Sequence, residues 1–374
     1  MSKSKTEMRS FNIQLVGDVA RTNLQIFSSL KKASLSIANL TKETNLSSDL
    51  VAECVNSCIR KDLLTISGSG EGEVVTFKEN QKNVLGVGFS GNKCILVAMN
   101  LAGEIVAKEI IEIKQISTLK GRIKEMKEIL SAISKGTKLR GTGFFSVGIA
   151  LPEEIKKNPK CPGVIVKGIN KLFGCTVLFT DAITAAGYAE KGYEAEASSD
   201  DVLYLHSDVG SGVAIRGEEI VDPEGSSPGD DKSYLRPWEQ FDMVMTAKSL
   251  VKKGVGTDIV NMVGGKTDEI TSDVVLTAAE NKDELAEDLV KRSALALGVR
   301  AAYLVNIFGT DKVILGGGTE KKEGNFIQYV GESSQRFLLN KVVNMVKIVP
   351  GTLGAEAFSI GAASLCRREL FMEV

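Results

Sequence analysis

The residues of this chain best suited to chemistry are one aspartate and several glycines at the ends of predicted strands. Asp181 follows the apolar run VLFT and precedes the helical sequence AITAAGYAE. An aspartate at that place can take a proton in catalysis, hydrogen-bond a ligand, or cap the helix that follows, and the residues alone leave all three roles open. Glycine at a strand end lets the backbone approach a phosphate or an adenine ring, and it equally suits a tight strand-to-helix turn. The glycines in question are Gly88, Gly91, Gly210, Gly212, Gly316, Gly317 and Gly318.

Composition limits the classes of protein to consider. The chain has 374 residues, which is more than one core usually organises, so two or three domains are expected. Charged residues make up 25% and the net charge is -1, so any affinity for nucleic acid must come from a local patch. No apolar run is long enough for a membrane span and the N-terminus lacks the apolar core of a signal peptide, so we expect no membrane partner and a cytoplasmic location. The six cysteines form no CxxC pair and are expected to be reduced and buried.

Several segments resemble, in order, those of the ROK family (repressor, open reading frame, kinase). They would correspond to the first phosphate turn, the segment with the catalytic base, the second phosphate loop, the adenosine segment and the closing helix. These segments are Val84 to Val106, Val177 to Glu190, Asp208 to Ile220, Val313 to Lys321 and Leu353 to Leu365. The resemblance runs from about residue 84 to the C-terminus. It implies a two-lobed, actin-like (ribonuclease-H-like) fold with a ligand cleft between the lobes.

The resemblance fails where a kinase needs its chemistry. The family's phosphate turn carries an aspartate that organises Mg²⁺, and this chain has Gly88 there, with Ser90 and Asn92 replacing the first glycine and the threonine of Gly-Gly-Thr. Phosphoryl transfer depends on charge compensation around the transferred group. We therefore predict no catalytic residue, with Asp181 at the family's base position but not catalytic. The seven strand-end glycines are then a vestigial nucleotide site.

The family's metal site is also missing. ROK proteins carry an ExGH motif and a cysteine cluster between the positions of Arg216 and Leu250, where this chain has neither Cys nor His. We predict no metal and no cofactor. The only histidine, His206, is predicted to be a satisfied core or cleft residue. By the resemblance, a sugar-like effector would contact Glu153, Thr180, Asp181 and Glu239.

The first eighty residues follow a different pattern. Helices are predicted over 21–32, 36–44 and 47–61, followed by strands over 63–67 and 74–78. That order resembles a winged helix-turn-helix, which ROK repressors carry at this place. DNA would be contacted by the third helix through Ser47, Ser48, Asp49, Ala52, Glu53, Asn56, Arg60 and Lys61.

Charge leaves the role of this segment open. Residues 1–82 hold 11 Lys and Arg against 9 Asp and Glu, whereas phosphate contacts need cations. Asp49 and Glu53 can still accept a hydrogen bond from cytosine N4, so an acidic face is compatible with specific reading. The alternative is a winged helix that serves as a protein-interaction or structural module.

The prediction is an α/β protein with a winged helix over residues 1–82 and a ROK domain over 83–374. Its lobes would cover 83–185 with the C-terminal helix, and 186–350. We predict a transcriptional regulator of carbohydrate metabolism that binds operator DNA as a homodimer or homotetramer. A ligand that prefers one lobe arrangement would change the spacing of two winged helices. The alternatives are a ROK sugar kinase and a scaffold without either activity.

Overall fold

The computed structural model describes most of the chain. The described residues are 18–79, 82–113, 123–135, 143–151, 160–193, 201–207, 212–221, 241–318, 325–340, 343 and 345–374.

Both helices and strands occur throughout the described residues. The helices are α1 Asp18–Lys32, α2 Ile37–Thr44, α3 Ser48–Arg60, α4 Ile123–Lys135, α5 Cys161–Phe173, α6 Ala182–Tyr193, α7 Met243–Lys252, α8 Thr257–Asn261, α9 Ser272–Glu280, α10 Glu284–Phe308, α11 Phe326–Gln335 and α12 Ala357–Met372. The strands are β1 Leu64–Ser67, β2 Val74–Phe77, β3 Lys82–Ser90, β4 Lys93–Met99, β5 Ile105–Glu112, β6 Gly143–Leu151, β7 Thr176–Asp181, β8 Asp201–His206, β9 Gly212–Arg216, β10 Glu219–Val221, β11 Lys312–Gly316 and β12 Lys347–Pro350.

Three helices and a two-stranded ribbon form the winged helix, as predicted. Strands β1 and β2 are antiparallel, with Leu64 opposite Phe77, and an isolated bridge joins Leu35 to Val75. The helical periodicity read from the sequence is also confirmed, because Leu24, Phe27 and Leu30 of α1 are all buried. This arrangement leaves one face of α3 turned away from the core.

The rest of the chain contains two sheets with the same strand order. One sheet runs β5-β4-β3-β6-β7 and the other β10-β9-β8-β11-β12. In each sheet the first three strands are antiparallel hairpin neighbours, and the last two join in parallel through helical crossovers. Parallel neighbours need such crossovers, which explains the helices between these strands. The predicted β-β-β-α-β-α repeat of the actin-like fold is confirmed.

The chain divides into two compact units. One contains Met1–Ala189 and Ala355–Val374, and the other contains Glu190–Gly354. The winged helix therefore belongs to the same compact unit as the first sheet. Whether residue 82 bounds an independent domain stays a prediction.

The first sheet is closely covered by helix α12. Gly86 and Gly148, on the neighbouring strands β3 and β6, lie directly beneath it, since a Cβ on Gly86 would stand 1.9 Å from Ser359 O and one on Gly148 would stand 2.3 Å from Ala362 O. Glycine at these positions allows backbone to approach backbone.

Among the described residues, no helix is long and apolar enough to cross a membrane.

Candidate nucleic-acid interface and the glycine turns

Helix α3 is the candidate recognition helix, and its ends are well defined. Asn45 in the connecting turn has a left-handed backbone (φ 56°), and the Ser47 hydroxyl accepts a hydrogen bond from Leu50 N at 3.4 Å as the N-cap. Val51, Cys54, Val55 and Cys58 point into the core of the winged helix. Because these residues recur at helical spacing, the opposite face is left to solvent.

The predicted contact residues all belong to the accessible side of this helix. Ser47, Ser48, Asp49, Glu53, Asn56, Arg60 and Lys61 are exposed, and Ala52 is half-buried. Serine, asparagine and carboxylate groups can hydrogen-bond base edges in a major groove. The structure thus brings the predicted residues together on one helix, and their contact with DNA stays a prediction.

Several basic residues of the winged helix have other partners. Lys61 Nζ donates to Glu373 O at the C-terminus of the chain, and Lys78 pairs with Asp62. Lys31 lies 5.3 Å from the Phe27 ring centroid and 5.7 Å from that of Tyr188. Lys32, Lys42 and Arg60 are exposed and have no hydrogen-bond or ion-pair partner within the described part of the chain. These three are the better candidates for phosphate contacts.

The wing has little to offer a phosphate backbone. Its tip turns at Gly68 (φ +93°), where a Cβ would lie 2.3 Å from Gly72 O. Glu73, which ends this turn, is exposed. Because carboxylates repel phosphates, the charge of the wing does not favour contact with DNA, and contact through helix α3 stays a prediction.

Gly88 lies beneath the start of helix α12. A Cβ on Gly88 would stand 2.6 Å from Ser359 N and 2.8 Å from Phe358 Cβ. Such distances are below any normal contact, and the atoms involved include backbone. An aspartate at this position would require α12 to move, so the space for the family's metal-organising side chain is occupied.

The neighbouring turn is held by protein groups. Gly91 takes a left-handed backbone (φ +56°) between β3 and β4. The Asn92 side-chain amide donates to the Glu112 carboxylate, and Ile113 N donates to Asn92 O at 2.8 Å. The residue aligned with the kinase threonine is therefore bonded to strand β5.

Asp181 caps helix α6. Its Oδ1 accepts from Ile183 N at 2.8 Å and from Thr184 N at 3.3 Å. Thr180, beside it, is buried and donates its hydroxyl to Asp181 O at 3.2 Å. Capping, one of the three roles open from the sequence, is present; a ligand contact at Thr180 and Asp181 stays a prediction.

The glycines of the second unit pack against their own sheet. A Cβ on Gly316 would lie 2.2 Å from the Tyr204 hydroxyl, and one on Gly212 would lie 2.4 Å from Leu205 Cδ2. Gly317 and Gly318 have φ of 113° and 110°, which forms the turn after β11. Close packing and positive φ are sufficient reasons for glycine at these positions, whether or not a nucleotide binds. Contact with a nucleotide stays a prediction.

Other predicted positions can be located only in part. His206 Nδ1 lies 3.3 Å from the Tyr204 hydroxyl, which fits its predicted role as a satisfied residue. Glu153, Gly210 and Glu239 lie outside the described residues. The described residues contain no group of three or more His, Cys, Asp or Glu placed to hold a metal ion.

Two structurally important groups were missed by sequence reasoning. The Glu190 carboxylate accepts from Thr352 N at 2.7 Å and Leu353 N at 2.9 Å, and it is 2% exposed. Phe371, near the C-terminus, is buried in the winged-helix core. The sequence did carry one signal at that end of the chain: three charged residues interrupt an otherwise apolar last helix. They are Arg367, Arg368 and Glu369, and all three are buried.

Comparison with known proteins supports one family. Residues 252–369 match the model of the ROK family. The xylose repressor of Caldicellulosiruptor bescii is 20% identical over 326 residues, covering 80% of this chain and 79% of the relative. A relative from Caldicellulosiruptor sp. (strain Rt8B.4), whose name provisionally gives it the same role, is 23% identical over 321 residues, covering 77% and 80%.

Solved structures of both regulators and kinases share the fold. A ROK family transcriptional regulator, described as a homologue of the E. coli MLC protein, superposes with a TM-score of 0.68 at 15% identity, covering 94% of this chain and 97% of that one. A ROK family glucokinase from Streptomyces griseus, in complex with glucose and AMPPNP, gives a TM-score of 0.57 at 20% identity over 76% of this chain and 98% of the kinase. At these identities the likeness concerns the fold. Residues 252–369 therefore match the ROK family domain, and the chain shares its fold with a regulator and a kinase of that family.

Proposed function

We propose that this protein is a transcriptional regulator that binds operator DNA through helix α3 and responds to a sugar-like effector. The observation that carries the proposal is the exposed face of α3, which holds hydrogen-bonding side chains within a complete winged helix. The xylose repressor named among the relatives supports it, because the similarity covers 80% of this chain. The alternative of a purely structural winged helix is supported by the acidic residues Asp49 and Glu53.

The DNA-binding proposal is tested by titrating the protein against its own promoter fragment at several salt concentrations. Affinity should fall steeply with salt, because each phosphate contact releases counterions. Arg60→Ala should weaken binding to all sequences alike and reduce the salt slope by about 1, whereas Asn56→Ala should relax discrimination at single base pairs. Lys253→Ala, which removes an exposed cation from the second unit, is the matched control.

The acidic face gives a sharper test of the same proposal. Glu53→Gln removes a charge that repels phosphate, so nonspecific affinity should rise, and specificity should blur if Glu53 reads a cytosine. Absence of binding at low salt, with the protein folded, would contradict DNA binding and favour the structural role.

The effector proposal rests on Asp181 and Thr180. Asp181→Asn keeps an oxygen that can cap α6, and asparagine is as good a cap as aspartate, so folding stability should hardly change. If Asp181 also binds a sugar, the variant should lose the effect of xylose or glucose on operator affinity, measured by fluorescence anisotropy. An unchanged sugar response in the variant would contradict the assignment.

A sugar kinase is the second candidate, since the chain shares its fold with a glucokinase. We propose that it has no such activity, because the atoms of α12 occupy the space at Gly88. Purified protein with ATP and Mg²⁺ should not phosphorylate glucose, N-acetylglucosamine, mannose or allose. Turnover above about 1 per second, the low end of ordinary enzyme rates, would favour the kinase.

A further inference from the structure

Helix α12 contacts two distant parts of its compact unit. It has 16 residues, so it is about 24 Å long at 1.5 Å per residue. Its N-terminal end rests on strand β3: a Cβ on Gly86 would reach Ser359 O, and one on Gly88 would reach Ser359 N and Phe358 Cβ. These contacts join the helix start to the hairpin that is the phosphate turn of related kinases.

The C-terminal end of α12 completes the core of the winged helix. The Phe371 ring lies 4.7 Å from that of Phe27 and 5.7 Å from that of Phe77, measured between centroids. The Arg367 guanidinium lies 5.1 Å from the Phe27 centroid, and Lys61, just beyond α3, bonds to Glu373 O. The recognition helix and the end of α12 thus share one hydrophobic core.

Between its ends the helix is almost entirely buried. Arg367, Arg368 and Glu369 are 5%, 2% and 2% exposed, and Arg368 Nη1 pairs with Glu369 Oε1 at 2.8 Å. A close-packed interior transmits displacement, because side chains have little free volume in which to absorb it. A shift at one end of such a helix is therefore expected to reach the other end.

We propose that helix α12 couples the β3–β4 hairpin to the winged helix, so that a change at Gly88 alters operator affinity although Gly88 lies outside the winged helix. This inference rests on the proposed DNA-binding function. In this proposal, the β3–β4 hairpin, which corresponds to the phosphate turn of ROK kinases, supports a regulatory helix. A substitution or a bound small molecule that moves α12 relative to the β3–β4 hairpin therefore changes the position of α3.

The first test is a double-mutant cycle in the full chain, read out as affinity for the promoter fragment. Gly88→Ala places a methyl group against α12, and Phe371→Leu alters the other end at a buried position that cannot touch DNA. Each should change affinity, and their effects should be non-additive by about threefold or more, in the range known for coupling through a protein. Gly163→Ala, in the same unit with open space around the added methyl, should leave affinity unchanged.

Two results would overturn the proposal: wild-type affinity in folded Gly88→Ala protein, or strictly additive effects in the cycle. If Gly88→Ala does not fold, Phe358→Ala takes its place in the cycle. Phe358 is half-buried at the start of α12, so its truncation loosens the same contact at a smaller cost.

A second readout needs no DNA. Cys54 and Cys58 are buried in the winged-helix core, whereas Cys161 is buried in α5 of the same unit. In Gly88→Ala, thiol labelling followed by peptide mass spectrometry should be faster at Cys54 and Cys58, with Cys161 unchanged. If the wild type binds no DNA but this pattern appears, the proposed function fails and the coupling stands. Equal acceleration at all three thiols, or none, would overturn the coupling.

Discussion

Gly88 is the residue at which this chain departs from the phosphate turn of ROK kinases. The sequence alone shows that the aspartate is missing at Gly88. It leaves open whether substituting aspartate there would restore the site of a kinase. The structure argues against such a restoration, because Ser359 N and Phe358 Cβ lie within 2.8 Å of the position that a Cβ of residue 88 would take.

We expect that Gly88→Asp does not restore kinase activity. The carboxylate would have to displace the start of α12, and overpacking a core costs at least about 1–3 kcal/mol. The variant should therefore unfold at a lower urea concentration than the wild type and show no sugar-dependent ATP consumption in a coupled assay. Gly163→Ala is the stability control. Phosphorylation of glucose by Gly88→Asp would show that the site is intact apart from this residue.

Buried thiols give a pH dependence that can be stated with its sign. Burial raises the pKa of Cys58, Cys94 and Cys366 from the ordinary value of 9.0 to about 12, and that of Cys175 to about 11. The folded state thus holds these protons more tightly than the unfolded state. Linkage then requires stability to be complete below about pH 9 and to fall as pH rises toward 12.

We expect the five buried thiols to be almost unreactive in the native protein at pH 8, and the partly buried Cys175 to be the most accessible of the six. Thiolates are the reactive species, and burial suppresses both their formation and reagent access. A colorimetric thiol assay should detect few groups natively and all six in guanidinium. Urea midpoints measured between pH 8 and 11 should fall with rising pH. A midpoint independent of pH would contradict burial of the thiols.

At the scale of elements, the Glu190 carboxylate joins helix α6 to the segment that follows β12. It accepts from Thr352 N, Thr352 Oγ1 and Leu353 N while almost fully buried. Both places at which the chain passes between its compact units, after Ala189 and after Gly354, lie beside this hydrogen-bonded cluster in sequence.

We expect Glu190→Gln to destabilise the protein by about 1–3 kcal/mol. The amide replaces a charged acceptor and places an N–H₂ group against backbone donors, which leaves buried groups unsatisfied. The urea unfolding transition should shift accordingly, whereas Glu280→Gln, at an exposed glutamate of the same unit, should be neutral. Equal midpoints for the two variants would show that the cluster contributes nothing.

The winged helix also depends on another element for its core. Phe27 and Phe77 both pack against Phe371 of α12. We expect a fragment of residues 1–82 to be poorly folded alone, because removing a buried phenylalanine typically costs about 3–5 kcal/mol and small domains have little stability to lose. Circular dichroism on heating should show no cooperative transition. A sharp transition near that of the full chain would show that residue 82 ends an independent domain.

At the scale of the whole molecule, the two sheets repeat one strand order, and relatives with the same fold include a regulator and a kinase. The fold therefore does not decide between these functions, which depend on particular residues. The net charge of -1 gives no general attraction to DNA, so the proposed binding depends on the exposed cations near α3.

We expect the purified protein to contain no stoichiometric zinc and to melt at the same temperature with and without a chelator. The segment between Arg216 and Leu250 has no Cys or His, so the family's four N and S ligands cannot be assembled there. Elemental analysis and a thermal scan in EDTA would check this. About one zinc per chain would mean that Cys161 or Cys175 belongs to a metal site.

The order of elements and the amphipathic faces followed from the sequence alone. The helical spacing of Val51, Cys54, Val55 and Cys58 predicted which side of α3 is buried, because periodicity is a local property of the chain. The loss of the kinase aspartate at Gly88 was equally visible, since the flanking residues keep the register of the family's turn.

Only the tertiary structure shows which distant residues these positions contact. Gly88 and Ser359, or Phe27 and Phe371, are hundreds of residues apart in the chain, and one sequence carries no signal for such contacts. The same holds for the bond between Lys61 and the backbone of Glu373, and the contact of Lys61 with DNA stays a prediction. Local pattern determines which face of an element is buried, whereas the partner that covers it is fixed by packing between distant segments.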